Sequence, residues 1–190
     1  MRLVALAIAI LGAAAIVAPS SAETRSVVVS DVDFIVSEAG RGRILLKFPS
    51  LHGLENVAIA EAKLRIPVPT VAPEEGLEIR VHPITRSWTP GAVDWTTGWT
   101  RPGGDFHDEI YGNSEFKSAG GRLTSDVDVT TIVLEMIAGR ETHGFILTVP
   151  QHRGEGFSDV NRERLVQALE GARLEIRYRN RILPPRLRRG

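Results

Sequence analysis

The chain is predicted to be all-β, an antiparallel β-sandwich with one or two short helices, and three observations carry that reading. Apolar and polar residues alternate at period two in segment after segment. Gly and Pro punctuate those segments at turns. Only two stretches adopt helical spacing, and neither is long enough to imply an α/β layer.

The chain opens on a stretch that reads as a targeting signal rather than as structure. Arg2 supplies a positive start, Leu3 to Val17 is an apolar run, and Pro19-Ser20-Ser21-Ala22 offers small residues for cleavage after Ala22. That apolar run is shorter than the ~20 residues a membrane-spanning helix requires. Residues 1–22 are therefore expected to be a signal peptide, and the mature protein to be secreted or periplasmic with no transmembrane segment. Arg2 is the only charged residue among them, so the remainder stays balanced to within one charge. Such balance gives no reason to expect nucleic acid or an anionic membrane as a partner. The absence of cysteine excludes disulfides, thiolate nucleophiles and Cys-ligated zinc, and leaves stability to the core.

The expected strands follow in order. Ser26 to Val36 is dominated by Val27, Val29, Val32, Phe34 and Val36. Ile44, Leu46 and Phe48 alternate with Leu45 and Lys47. Ala58, Ala60, Ala62, Leu64, Ile66 and Val68 share one face of a longer strand, with Glu61, Lys63 and Arg65 on the other. Leu77, Ile79 and Val81 alternate with Glu78, Arg80 and His82. Phe145, Leu147 and Val149 repeat the pattern, as do Leu174, Ile176 and Tyr178. Between them, Ser87 to Trp95 holds two tryptophans around Pro90-Gly91, and the rings of Trp88 and Trp95 are expected to fill the core between the sheets. Thr96 to Arg122 reads as a long loop containing Phe106, Tyr111 and Phe116. Asp128 to Ile137 has helical spacing, with Asp128 as N-cap and Gly139 as stop. Ser158 to Leu169 reads as a second short helix. Arg179 to Gly190, with five arginines and Pro184-Pro185, is expected to be a disordered basic tail. The domain is thus expected over residues 23–178.

Several of these segments, taken together, resemble the DNRLRE-domain family of extracellular modules, which is grouped with carbohydrate-binding modules and disaggregatase-related repeats. Arg43 to Phe48 followed by Ile59 to Ile66 resembles the family's paired strands. Trp88 with Val93-Asp94-Trp95 resembles its tryptophan segment. Val127-Asp128-Val129-Thr130, then Gly139 and Gly144 to Leu147, resembles its Asp-Val-Thr run, and Arg173 to Tyr178 its terminal strand. The resemblance implies a jelly-roll-like sandwich and a non-catalytic role in binding polysaccharide.

Motifs for chemistry are absent. There is no phosphate-binding Gly loop, no His-Glu-x-x-His helix and no Gly-x-Ser-x-Gly elbow. Asp94, Asp105, Asp108 and Glu109 are close in sequence, yet nothing pairs them as acid and base. His52, His82, His107, His143 and His152 are scattered. No cofactor is expected. Metal candidates are weak: Asp31 and Asp33 share a strand face that offers ligands to a structural Ca²⁺, and Asp105, His107 and Asp108 cluster on the loop. An exposed edge-strand pair and a solvated loop are the plainer readings. For ligand binding, Trp99 is the candidate exposed platform, with Phe106, Tyr111 and Arg101 beside it. The expected partner is polysaccharide. The alternative is an envelope or matrix protein, which would make the chain a structural or adhesive component.

Overall fold

The structure, a computed structural model, describes residues 21–68, 78–109, 112–119, 122–149, 167 and 169–180. The expected leader, the basic tail beyond residue 180, Tyr111 and most of the expected second helix lie outside the described residues. Of that helix only Gln167 and Leu169 are described, both helical.

Ten strands and one helix make up the described fold: β1 (Glu23–Val28), β2 (Asp31–Val36), β3 (Gly42–Lys47), β4 (Val57–Val68), β5 (Glu78–Pro83), β6 (Gly112–Glu115), β7 (Lys117–Ala119), β8 (Arg122–Asp128), α1 (Thr130–Ile137), β9 (Phe145–Thr148) and β10 (Arg173–Asn180). They form two five-stranded sheets, ordered β1-β10-β4-β8-β7 and β2-β3-β9-β5-β6. Every neighbouring pair is antiparallel. With β2 and β7 set aside as edge additions and the remaining eight renumbered in chain order, the sheets read 1-8-3-6 and 2-7-4-5. That order is the double Greek key of a jelly roll.

The inter-sheet core is built from alternate residues. Ala62, Leu64, Ile66, Val127, Leu174 and Ile176 come from one sheet, and Phe34, Ile44, Leu46, Ile79, Val81, Phe145 and Leu147 from the other. Each large apolar side chain so buried contributes about 1.5–3 kcal/mol.

Four expectations about the strands need correcting. The single run Ser26 to Val36 is two strands in different sheets. On β4, Ala58 and Ala60 are exposed while Val57 and Ile59 turn inward. The cause is a bulge: Arg177 pairs with Glu61 and Tyr178 with Ile59, which leaves Ala60 over and reverses the faces. The presumed loop to Arg122 holds β6 and β7, and β8 starts at its end. Finally, β10 continues through Arg179 to Asn180, whose side chain donates to Glu23 at 2.9 Å, two residues past the expected domain limit.

Helix α1 starts later than expected. Val129 occupies the N-cap position, and the Asp128 carboxylate instead accepts from the N–H and hydroxyl of Thr130 at 2.9 and 2.6 Å. Its C-terminus ends as expected at Gly139, where Gly139 N–H bonds the Met136 carbonyl and Arg140 N–H the Glu135 carbonyl, a Schellman closure around φ +92°.

Candidate ligand-binding surface

One sheet buries apolar side chains on both faces. Ile35, Leu45 and Ile146, each adjacent in sequence to an inter-sheet core residue, point outward and are buried beneath the segment 84–107. With Ile84, Trp88 and Trp99 they form a second core, edged by Val93, Trp95 and Phe106. All three tryptophans therefore pack outside the sandwich rather than between its sheets. The uninterrupted apolar runs Phe34-Ile35, Ile44-Leu45-Leu46 and Phe145-Ile146-Leu147 are the sequence signal of this double burial.

Each ring is fastened by its polar end. Trp88 is 2% exposed and its indole N–H donates to the His143 carbonyl at 2.9 Å. Trp99, expected as an exposed platform, is 9% exposed and donates to the Asp94 carbonyl at 2.8 Å. The reason lies in the turn before it. Asp94 Oδ1 accepts from Thr96 N–H at 2.7 Å and Thr97 N–H at 2.6 Å, and Gly98 at φ +90° reverses the chain so that the Trp99 ring enters the cluster. The Thr97 and Thr96 bonds hold the Asp94 carboxyl down at about 2.

Trp95, expected in the core, is instead half-buried at the surface. The outer face of β3 explains what surrounds it. Arg41, Arg43, Leu45 and Lys47 are spaced by two residues and so share one side of the strand line. The Lys47 ammonium lies 4.9 Å from the Trp88 ring and donates to the Trp88 carbonyl at 2.8 Å. The Arg43 guanidinium lies 4.7 Å from the Trp95 ring and 5.0 Å from Phe106, and it donates to the Gly103 carbonyl. Arg41 lies 5.5 Å from Trp95 and Arg101 4.8 Å from Phe106. The result is an alternating column: Arg41, Trp95, Arg43, Phe106, Arg101. Burial, and then the charges of Arg41 and Arg101, bring the Arg43 guanidinium down to about 10.

The carboxylates nearby are already engaged. Asp105 accepts from Thr100 N–H at 2.8 Å, from the Thr100 hydroxyl at 2.5 Å and from Arg101 N–H at 3.3 Å, with Arg86 at 3.9 Å. Burial pushes its pKa upward, but the Thr100 and Arg101 bonds leave it net lowered. Asp108 takes two 3.1 Å bonds from the Arg101 guanidinium, and its pKa too is lowered, first by that bond and then by the charge. Arg101 also donates to the carbonyls of Gly104 and Phe106, clamping the turn that carries the ring. Beside it, Thr85, Arg86, Thr100, Arg101, Asp105 and Phe106 line an open hollow of about 380 Å³.

Of the sequence candidates, Phe106 and Arg101 are thus brought together, Trp99 lies in the cluster beneath, and Tyr111 is outside the described residues. The metal candidates diverge. Asp33 is 4% exposed and accepts from Phe34 N–H at 2.7 Å and Gly91 N–H at 2.8 Å, so it pins the Pro90-Gly91 turn to β2 and is not an exposed edge residue. Asp31 accepts from the Ser30 hydroxyl at 2.9 Å. The backbone N–H of His107 bonds the Pro83 carbonyl. Among the described residues no group of three His, Asp or Glu side chains is arranged to hold a metal ion.

The residues that sequence reasoning passed over are Trp95, Arg41 and Arg43. Their signal was the run of cations at alternate positions along β3, masked by reading that strand only for its apolar face. The chain matches no protein-family model, and comparison with curated proteins finds no match.

Proposed function

We propose that the protein is an exported, non-catalytic module that binds polysaccharide at the surface built by segment 84–107 on the outer face of β3. One observation carries the reading: guanidinium groups and aromatic rings alternate along an open surface, the mixture of fixed polar donors and flat apolar faces that orients a small polar ligand. Three acids beside this surface are held in the ionised state. A glycosidase needs a carboxyl whose pKa is raised, whereas Asp94, Asp105 and Asp108 are all lowered by bonds that hold them ionised. The resemblance of the strand and tryptophan segments to DNRLRE-domain modules supports the same reading.

The test is retention of the mature protein on a panel of immobilised neutral and acidic polysaccharides. Wild type is expected to be retained by at least one. Arg86→Gln, which removes a half-exposed guanidinium from the hollow, and Phe106→Ala are expected to be retained less. Retention by none of the panel overturns the proposal, as does equal retention of all three proteins.

A further inference from the structure

The column does not end in one hollow. Trp95 and Phe106 lie 4.7 and 5.0 Å from the same Arg43 carbon, so their centres stand less than about 10 Å apart. Phe106 borders the hollow described above. Trp95 borders a second and larger one, about 580 Å³, between the β2–β3 turn and the Trp95 loop.

The second hollow offers unused hydrogen-bonding groups of both kinds. Arg41 is exposed, and among the described residues its guanidinium forms no hydrogen bond or ion pair; it lies 5.5 Å from the ring of Trp95. Glu38, exposed in the same lining, likewise has no side-chain partner among the described residues. Asp94, the other charged group there, is engaged by the Thr96 and Thr97 amides. A simple anion needs donors only, and a simple cation acceptors only. A sugar hydroxyl donates and accepts at once, so a free guanidinium and a free carboxylate beside a half-exposed indole match a hydroxyl-bearing ring. We infer that the hollow formed by Glu38, Arg41 and Trp95 is a second sugar subsite, contiguous through Arg43 with the first, and that the protein grips a run of sugars within a chain. This rests on the polysaccharide reading above.

The experiment measures affinity of the mature protein for cello-, xylo-, chito- and galacturonate oligosaccharide ladders, from disaccharide to octasaccharide, by titration calorimetry. Wild type is expected to bind one ladder with affinity that rises with length. Arg41→Gln and Glu38→Gln are exposed changes outside both cores, so they are expected to leave the melting curve unchanged. Each is expected to weaken the octasaccharide about tenfold, as the loss of one charged hydrogen bond implies, and Glu38→Gln to leave the disaccharide within twofold. Arg86→Gln is expected to weaken short and long members alike. If wild type binds with length-dependent affinity and both variants keep it, the second subsite is overturned while the polysaccharide reading stands. Affinity independent of length overturns the subsite as well. Binding to no ladder overturns both readings.

Discussion

At the scale of single residues, the three tryptophans divide by what their indole nitrogens touch. Trp88 and Trp99 are buried and bonded to carbonyls, whereas Trp95 is half-buried with two guanidiniums on its ring. Trp88→Ala and Trp99→Ala should each cost about 3–5 kcal/mol, the range for emptying a packed aromatic site. Trp95→Ala should cost clearly less; urea unfolding of the three variants measures the difference. The sequence placed Trp88 correctly as buried and exchanged the roles of Trp95 and Trp99, because local polarity reports neither the Asp94 turn nor the reversal at Gly98. His82 gives a second prediction at this scale. It is 4% exposed, its ring nitrogens lie 2.9 Å from the Glu109 carbonyl and 3.3 Å from the Thr148 hydroxyl, and its ring meets Phe106 at 4.9 Å. Burial lowers its pKa below the ordinary 6.5, against the pull of the Glu109 and His107 backbone bonds, and Arg43 and Arg80 act in the same direction as burial. The unfolded chain therefore takes up a proton at higher pH than the folded one. This contribution to stability is complete above 6.5 and is lost as pH falls from there through the lowered value. Urea midpoints measured through that window should fall with pH in wild type and fall less in His82→Gln.

At the scale of elements, legibility followed the strength of alternation. β10 was readable because it presents one dry and one wet face, and β5 because Glu78 and Arg80 alternate with the buried Ile79 and Val81. β6 and β7 were not: Gly112-Asn113-Ser114-Glu115 and Lys117-Ser118-Ala119 carry no apolar pattern, and they are strands because β5 and β8 pair with them. The bulge at Ala60 was equally silent, since small alanines on either face leave no signal of a slip. Outer-face burial was written in the consecutive apolar residues of β3 and β9, but period-two reading registers only one side. Gly144 joins the two faces. At φ +113° it passes so near the Leu46 carbonyl that an added Cβ would collide with backbone. Gly144→Ala should therefore strain both the left-handed backbone and the β3–β9 approach, lowering the melting temperature by several degrees or more; scanning calorimetry measures it. Gly139→Ala has the same backbone strain but open space around it, and should cost less.

At the scale of the whole molecule, a jelly-roll sandwich supplies the frame and a loop-built third layer supplies the surface. The jelly-roll order was accessible only through family resemblance, because alternation finds strands and not their neighbours. Edge strands also bear on what the molecule meets. β1 carries Arg25, bonded to the His52 carbonyl, and β2 carries the buried Asp33, charges that discourage strand-to-strand association. The most direct test is a two-dimensional ¹⁵N–¹H spectrum of the three indole N–H groups during titration with a retained oligosaccharide. The account predicts that the Trp95 resonance moves in proportion to saturation, while those of Trp88 and Trp99, fixed on the His143 and Asp94 carbonyls, stay in place. Saturable binding with Trp95 unmoved, or with Trp88 or Trp99 moving in its stead, would contradict it.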